Sequence, residues 1–265
     1  MSRGIIKVIF LGIPVLLLLG MLVYGITRFR EMANRARCQD NLRKIGLFGL
    51  SEMSEREFVP GKPDSDRSYP AATIVNANLK PDQRLSWMVT VLPSLGKDDV
   101  YKQFDLMKGW ADDANHDAIC ALIPTFACPS HYVVPAPGTA QLNPYVGIAG
   151  IGIDAPTLPA TDPRAGVFRY DEPTKFGMLV RGLSHTIIIM ETERDPGPWA
   201  AGGNPTARGL IPSDEPFIGP GRQFGGHPGG CNSAYADGSV RFQSASIGPT
   251  VLEVQIPLGE YTIPE

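Results

Sequence analysis

Cys38, Cys120, Cys128 and Cys231 are the residues of this 265-residue chain with the widest chemical reach, and four histidines accompany them. Cys128 and His131 are spaced CxxH, and His227 and Cys231 are spaced HxxxC. Two thiolates and two imidazoles of this kind would satisfy a tetrahedral zinc ion. Such spacings are common by chance, and no CxxC pair points to a zinc ribbon or a thioredoxin-like motif, so no metal ligand is assigned. An even number of cysteines in an exported chain suits disulfides equally well, with three connectivities for four cysteines.

His227 and Asp237 suggest an acid–base pair. A strand advances roughly 3.3 Å per residue, so the segment between them keeps the two side chains apart. The histidine is expected instead to hydrogen-bond loop backbone and hold the Pro228-Gly229-Gly230 turn. No GxSxG elbow, HExxH, P-loop, GxGxxG or EF-hand loop occurs. The reading is therefore no catalytic residue, no cofactor-binding residue, no metal residue, no cofactor and no enzyme.

Charged residues make up 19% of the chain and the net charge is −3, with no basic cluster beyond the first 45 residues, so nucleic acid is not an expected partner. The 29 glycines and 25 prolines follow no triplet period and read as turns between short elements.

Residues 8–26 carry no charge, and as a helix they rise about 28 Å, close to the hydrocarbon thickness of a bilayer. Their Leu, Ile, Val and Phe residues contribute roughly −4 to −8 kcal/mol to insertion. Lys7 lies at the edge, where its ammonium can reach the headgroups. A cleaved signal peptide is the competing reading, but Thr27-Arg28-Phe29-Arg30 offers no small-residue cleavage site. Arg3 and Lys7 precede the span while Arg28, Arg30, Arg35 and Arg37 follow it, so charge does not settle the orientation.

After the span, Cys38, Leu42, Ile45, Gly49 and Met53 share one helical face by spacings of three and four, which predicts a continuous helix packed on a domain. The Val59-Pro60-Gly61-Lys62-Pro63 run ends it. Short helices are expected over residues 85–95, 98–104 and 112–122, and strands over 123–128, 166–170 and 186–191. The last strand, apolar on both faces, is expected at the sheet centre beneath the helix. Asp237-Gly238 predicts a two-residue hairpin turn between strands over 232–236 and 239–242, the second half buried through Val240 and Phe242. A loop region of about 30 residues around Trp199 is expected to be exposed, making Trp199 a first residue to test for a partner.

Four blocks carry a resemblance. They are residues 30–47 with Cys38-Gln39-Asp40-Asn41-Leu42; Ser86-Trp87 with Val91-Leu92-Pro93, Tyr101 and Phe104-Asp105; Phe126-Ala127-Cys128-Pro129-Ser130 with Tyr145-Val146-Gly147; and residues 227–242, a histidine followed by nine residues and Asp-Gly. Together they resemble a large, chiefly planctomycete family of pilin-like proteins whose biochemical function is not assigned. The resemblance implies an α+β, pilin-like fold, with one long N-terminal helix on a mainly antiparallel β domain bearing short helices and long loops. It also implies a Cys38–Cys128 disulfide, which would leave Cys120 and Cys231 to pair. Cys231 departs from the family, where a small uncharged residue such as alanine is more usual. Lys7 stands near the place of the pilin glutamate and reverses its charge, so an uncleaved anchor fits better than a filament stem.

The expected organisation is a tail over 1–7, a transmembrane helix over 8–26, an amphipathic continuation over 27–58 and a globular pilin-like domain over 59–265. The expected function is a structural or interaction protein of the cell envelope. It would be held in the inner membrane by a single pass, with the domain on the periplasmic or exterior side, and could associate with a type II secretion or type IV pilus-like system. Its expected partners are the bilayer, through residues 8–26, and envelope or pilus-like proteins. The alternative is an anchored solute- or glycan-binding module, which a deep pocket lined by aromatics would favour.

Overall fold

The computed structural model describes residues 3–56, 67–131 and 133–262, with side chains described for 15–47, 67–131 and 133–262. Helix α1, Arg3–Arg56, is continuous. Over residues 15–26 it presents apolar side chains outward: Leu16 is 69% and Leu22 59% exposed. Its second half turns Cys38, Leu42 and Ile45 into the domain, as the spacing predicts. The side chains of Lys7, Gly49 and Met53, and the break expected over residues 59–63, lie outside the described residues.

Among the described residues nine strands follow: β1 (Ser68–Tyr69), β2 (Leu142–Asn143), β3 (Tyr145–Ile151), β4 (Thr174–Lys175), β5 (Ile187–Glu191), β6 (Gly197–Pro198), β7 (Ala207–Leu210), β8 (Gly230–Tyr235) and β9 (Val240–Ser244). Five form a mixed sheet in the order β7-β3-β5-β8-β9. The β3–β7 pair is parallel and the other pairs are antiparallel. The remaining four form two short antiparallel ladders, β1–β4 and β2–β6.

Both faces of the sheet are covered, so its central strands β3 and β5 are buried throughout and apolar but for Glu191 at the end of β5. Tyr145, Ile189 and Ala234 face one core with Leu42, Ile45, Trp87, Phe126, Phe168 and Trp199. Val146, Ile148, Met190, Leu210, Cys231 and Tyr235 face a second, closed by Leu252 and Ile256 at and just beyond the C-terminal helix Pro249–Glu253. Helix α1 crosses the first face over β8, touching β5 and β9. A Cβ on Gly46 would come 3.3 Å from Ala234 Cβ, so small residues on both elements set this close approach. Each fully buried aliphatic side chain such as Leu42 or Ile45 contributes about 1.5–3 kcal/mol.

Short helices occupy Trp87–Val91, Asp98–Tyr101 and His116–Ile119. Ser86 caps the first by accepting from the Met88 N–H. Three local expectations are corrected. Residues 123–128 contain the single turn Pro124–Phe126, because Pro124 supplies no N–H to a ladder. Residues 166–170 bend without forming a strand: the Gly166 and Phe168 amides donate to Ala149 and Ile148, while those of Arg169 and Tyr170 donate to Val167 and Pro156. In the hairpin, only Gly238 has positive φ (80°), and Tyr235 N–H donates to Ser239 O at 2.8 Å. The turn is therefore a three-residue loop ending in a left-handed glycine. On β9, Phe242 is half-buried beneath the Arg35 guanidinium at 3.8 Å, and Gln243 is buried on the other face.

Candidate functional site

Four distant segments bring chemistry-bearing side chains to one point where α1 meets the domain. Glu31 and Cys38 are seven residues apart on α1, two helical turns along one face. Cys128 follows the Pro124–Phe126 turn. Glu191 ends β5. His227 lies in the glycine-rich loop before β8, and Gly226, at φ 139°, lets that loop pass against the Glu191 side chain, where a Cβ would lie 3.4 Å from Glu191 Cβ.

The Cys38 and Cys128 sulfurs stand 2.6 Å apart, and all four cysteines are free thiols. His227 Nε2 lies 3.8 Å from Cys128 Sγ and 3.4 Å from Glu191 Oε1. On the other side of the ring, Nδ1 is 2.6 Å from Glu31 Oε1, and Ser130 Oγ donates to Glu31 Oε2 at 2.9 Å. Glu191 accepts from the Asn232 N–H at 2.6 Å and the Asn232 Nδ2 at 3.1 Å. Asn41 Nδ2 donates to Ala127 O at 2.9 Å and Gln39 Nε2 to Asn232 Oδ1 at 3.0 Å, tying the helix to both flanks of the cluster.

These contacts polarise the pair. The hydrogen bond from the Cys38 thiol lowers the Cys128 pKa to about 6 against the opposing effect of burial, with His227 adding to the effect. The same bond, with burial, pushes Cys38 upward. Burial alone would depress His227, but hydrogen bonds to Cys128 and Glu191 outweigh it and raise its pKa to about 10. The donor atoms of Cys38, Cys128, Glu191 and His227 all lie within 4.8 Å of one another, in a buried setting. This is a soft, anionic donor set able to share protons or hold a cation.

The sequence reading is partly redrawn here. Cys128 and His227 do meet, but the other two residues of the spacing-based zinc set do not join them. His131 turns Nε2 to the Gly226 carbonyl and Nδ1 to Glu193 at 3.4 Å. Cys231 lies in the second core, across the sheet. Cys120 packs against the first core, so a Cys120–Cys231 pair is not formed. The Cys38–Cys128 pairing implied by the resemblance is present as proximity. His227 uses its ring on side chains, and the Pro-Gly-Gly turn is held by backbone bonds between His227 and Gly230. Asp237 sits in the hairpin turn, where its carboxylate accepts from the Ser239 N–H at 2.9 Å, and the two do not form a dyad.

Glu31 and Glu191 were missed. Glu191 could have been noticed as the one charge closing a run of β-branched residues that reads as buried, and Glu31 as an acid two turns from Cys38 on the packed face. Trp199, expected at the surface, is fully buried. Its Nε1–H donates to Ile119 O at 3.1 Å, and its ring packs on Phe104 and Phe126.

A cleft of about 850 Å3 adjoins the site between α1 and the loops, lined by Arg37, Asp40, Asn41, Leu122, Pro124 and Gln141 among others, with no aromatic side chain in its lining. A second cavity of about 270 Å3 reaches Cys128 itself, past His131, Asn143 and Glu193. No curated protein and no solved structure matches the chain. Residues 27–215, which hold three of the four cluster ligands, match the model of the family described as SBP_bac_10, protein of unknown function (DUF1559), and the chain belongs to that family.

Proposed function

We propose that the protein is a pilin-like structural or interaction protein of the cell envelope, held in the inner membrane by the first half of α1, with its domain on the periplasmic or exterior side. The observation that supports this is the division of one continuous helix. Residues 15–26 present apolar side chains outward with no covering partner among the described residues, whereas Cys38, Leu42 and Ile45 are buried in the domain. Among the described residues no helix is long and apolar enough to cross a membrane; the proposed span over 8–26 includes 8–14, whose side chains lie outside them. The bilayer would cover the exposed half at a gain of about 0.3–0.6 kcal/mol for each Leu, Ile, Val or Phe.

Lys7 in place of a pilin-type glutamate favours a permanent anchor over a filament stem. Alkaline carbonate extraction of cell membranes tests the anchoring: the protein should stay in the pellet and leave it only with detergent, and release by carbonate would sink the reading. N-terminal sequencing should begin at or near Met1, and a first residue at or beyond Ile5 would indicate pilin-type processing. Crosslinking in intact membranes should recover envelope or pilus-like components.

The second reading, an anchored solute-binding module, draws on the cleft beside α1. Its lining of Arg37, Asp40, Asn41 and Gln141 could hydrogen-bond a polar ligand, but it lacks the aromatic platform expected for a glycan. Catalysis is not proposed.

A further inference from the structure

The geometry points to a closed zinc site formed by Cys38, Cys128, His227 and Glu191, which clamps the long helix onto the domain. At 2.6 Å the two sulfurs are closer than unbonded sulfurs rest and further apart than the roughly 2.0 Å of a disulfide. They can therefore relax in either direction, closing to a covalent bond or opening around a cation. The surroundings favour the second course.

A disulfide is neutral and needs neither an imidazole nor a carboxylate, yet the His227 ring contacts Cys128 and a Glu191 oxygen lies within 4.8 Å of both sulfurs. With metal–sulfur bonds of about 2.3 Å and metal–nitrogen or metal–oxygen bonds of about 2.0–2.1 Å, a tetrahedron sets sulfur and nitrogen about 3.5 Å apart, nitrogen and oxygen about 3.3 Å, and two sulfurs about 3.8 Å. The observed Cys128 Sγ to His227 Nε2 distance is 3.8 Å and the Nε2 to Glu191 Oε1 distance is 3.4 Å. Two edges of the tetrahedron are thus already close to their bound lengths. The sulfur–sulfur edge must open by about 1.2 Å to reach the value expected for zinc, and the other three edges lie within 4.8 Å.

The outer shell is also in place. Glu31 accepts from His227 Nδ1–H at 2.6 Å and so turns Nε2 toward the cluster, where an incoming cation would take the place of its proton; this is the carboxylate–histidine arrangement that orients metal-bound imidazoles. Asn232 fixes Glu191 through its backbone and side-chain N–H groups. Both carboxylates have His227 as their ion-pair partner, so a divalent cation would add the positive charge that this buried, acid-rich point is short of. The 270 Å3 cavity at Cys128 supplies a route in. Two thiolates, one imidazole and one carboxylate match zinc better than calcium or magnesium, which prefer all-oxygen sites. The four ligands come from α1, the loop after the Pro124–Phe126 turn, β5 and the loop before β8, so the ion would crosslink segments that the chain itself leaves far apart.

The test is elemental analysis and non-reducing intact mass of the full chain, purified in detergent without chelator or reductant. The expected result is about one zinc per chain with four free thiols. Metal at background with a mass lower by two hydrogens and a Cys38–Cys128 bond in the peptide map would overturn the proposal, as would four free thiols without metal. Glu191→Gln and His227→Gln should each lose the zinc, and retention of full stoichiometry in both would refute the assignment. If either variant fails to fold, Glu31→Gln decides: it leaves the ligands intact and should weaken zinc affinity about 10–100-fold in a chelator competition. Unchanged affinity would count against the site.

Discussion

Replacing Trp199 by alanine should unfold much of this domain's margin of stability. The side chain is fully buried. An aromatic ring of this size buries about 150–250 Å2, worth about 4–6 kcal/mol at 25 cal/mol per Å2, an upper bound because unfolded chains already shield some apolar surface. Truncation also strands the Ile119 carbonyl, which now accepts the indole N–H at 3.1 Å, at a cost of about 1–3 kcal/mol unless water reaches it. Partial collapse of Phe104 and Phe126 into the space, rings now 5.8 and 5.4 Å away, returns some of this. The expected net loss is about 3–5 kcal/mol, a large share of a typical domain stability of about 5–15 kcal/mol. Urea unfolding of the full chain in detergent, followed by circular dichroism, measures it. Trp199→Phe, which keeps a ring but loses the donor, should cost about 1–3 kcal/mol. A loss below about 0.5 kcal/mol for the alanine variant, the range of open surface sites, would refute the reasoning and return Trp199 to the list of partner-binding residues.

Three further outcomes follow from the helix–domain seam and the hairpin. Leu42→Ala, on the buried face of α1, should destabilise by about 2–5 kcal/mol, whereas Met32→Ala, on the exposed face, should stay within about 0.5 kcal/mol; equal effects in urea unfolding would contradict the placement of the helix. Gly230→Ala brings a Cβ into the Gln243 backbone carbonyl and the Phe242 ring and should cost about 3 kcal/mol, visible as a lowered melting temperature or loss of folded protein. Arg35→Ala removes the guanidinium stacked 3.8 Å over Phe242 and should cost only about 0.5–1 kcal/mol; a much larger loss would show that the contact does more than pack an exposed seam.

The local reading of the chain succeeded where a single periodicity or turn residue sufficed. The spacing of Cys38, Leu42 and Ile45 located the buried helical face, and the Thr186-Ile187-Ile188-Ile189-Met190 run located the central strand. It failed where the outcome depended on neighbours. Residues 123–128 and 166–170 have strand-like composition, but Pro124 denies one the ladder, and the other bonds to its neighbours over too few residues to pair as a strand. Trp199 sits among Pro and Gly residues that read as an open loop, yet the loop folds inward because Phe104, Phe126 and the Ile119 carbonyl offer the indole a better environment than water.

The candidate site divides in the same way. Cys128 and His227 could be singled out from their type, and the resemblance paired Cys128 with Cys38, but spacing along the chain ranked nearby residues such as His131 and Cys231 above the distant Glu191 and Cys38. The strand alternation that faces Cys231 into the second core, and the crossing of α1 over β8, replaced them with Glu191 and Cys38. Composition and periodicity determined a long, half-apolar helix followed by turn-separated short helices and strands, since those follow from short-range rules, and the resemblance supplied the α+β class. Only the tertiary structure decided which four side chains share one buried point, since that depends on contacts between segments as many as 196 residues apart.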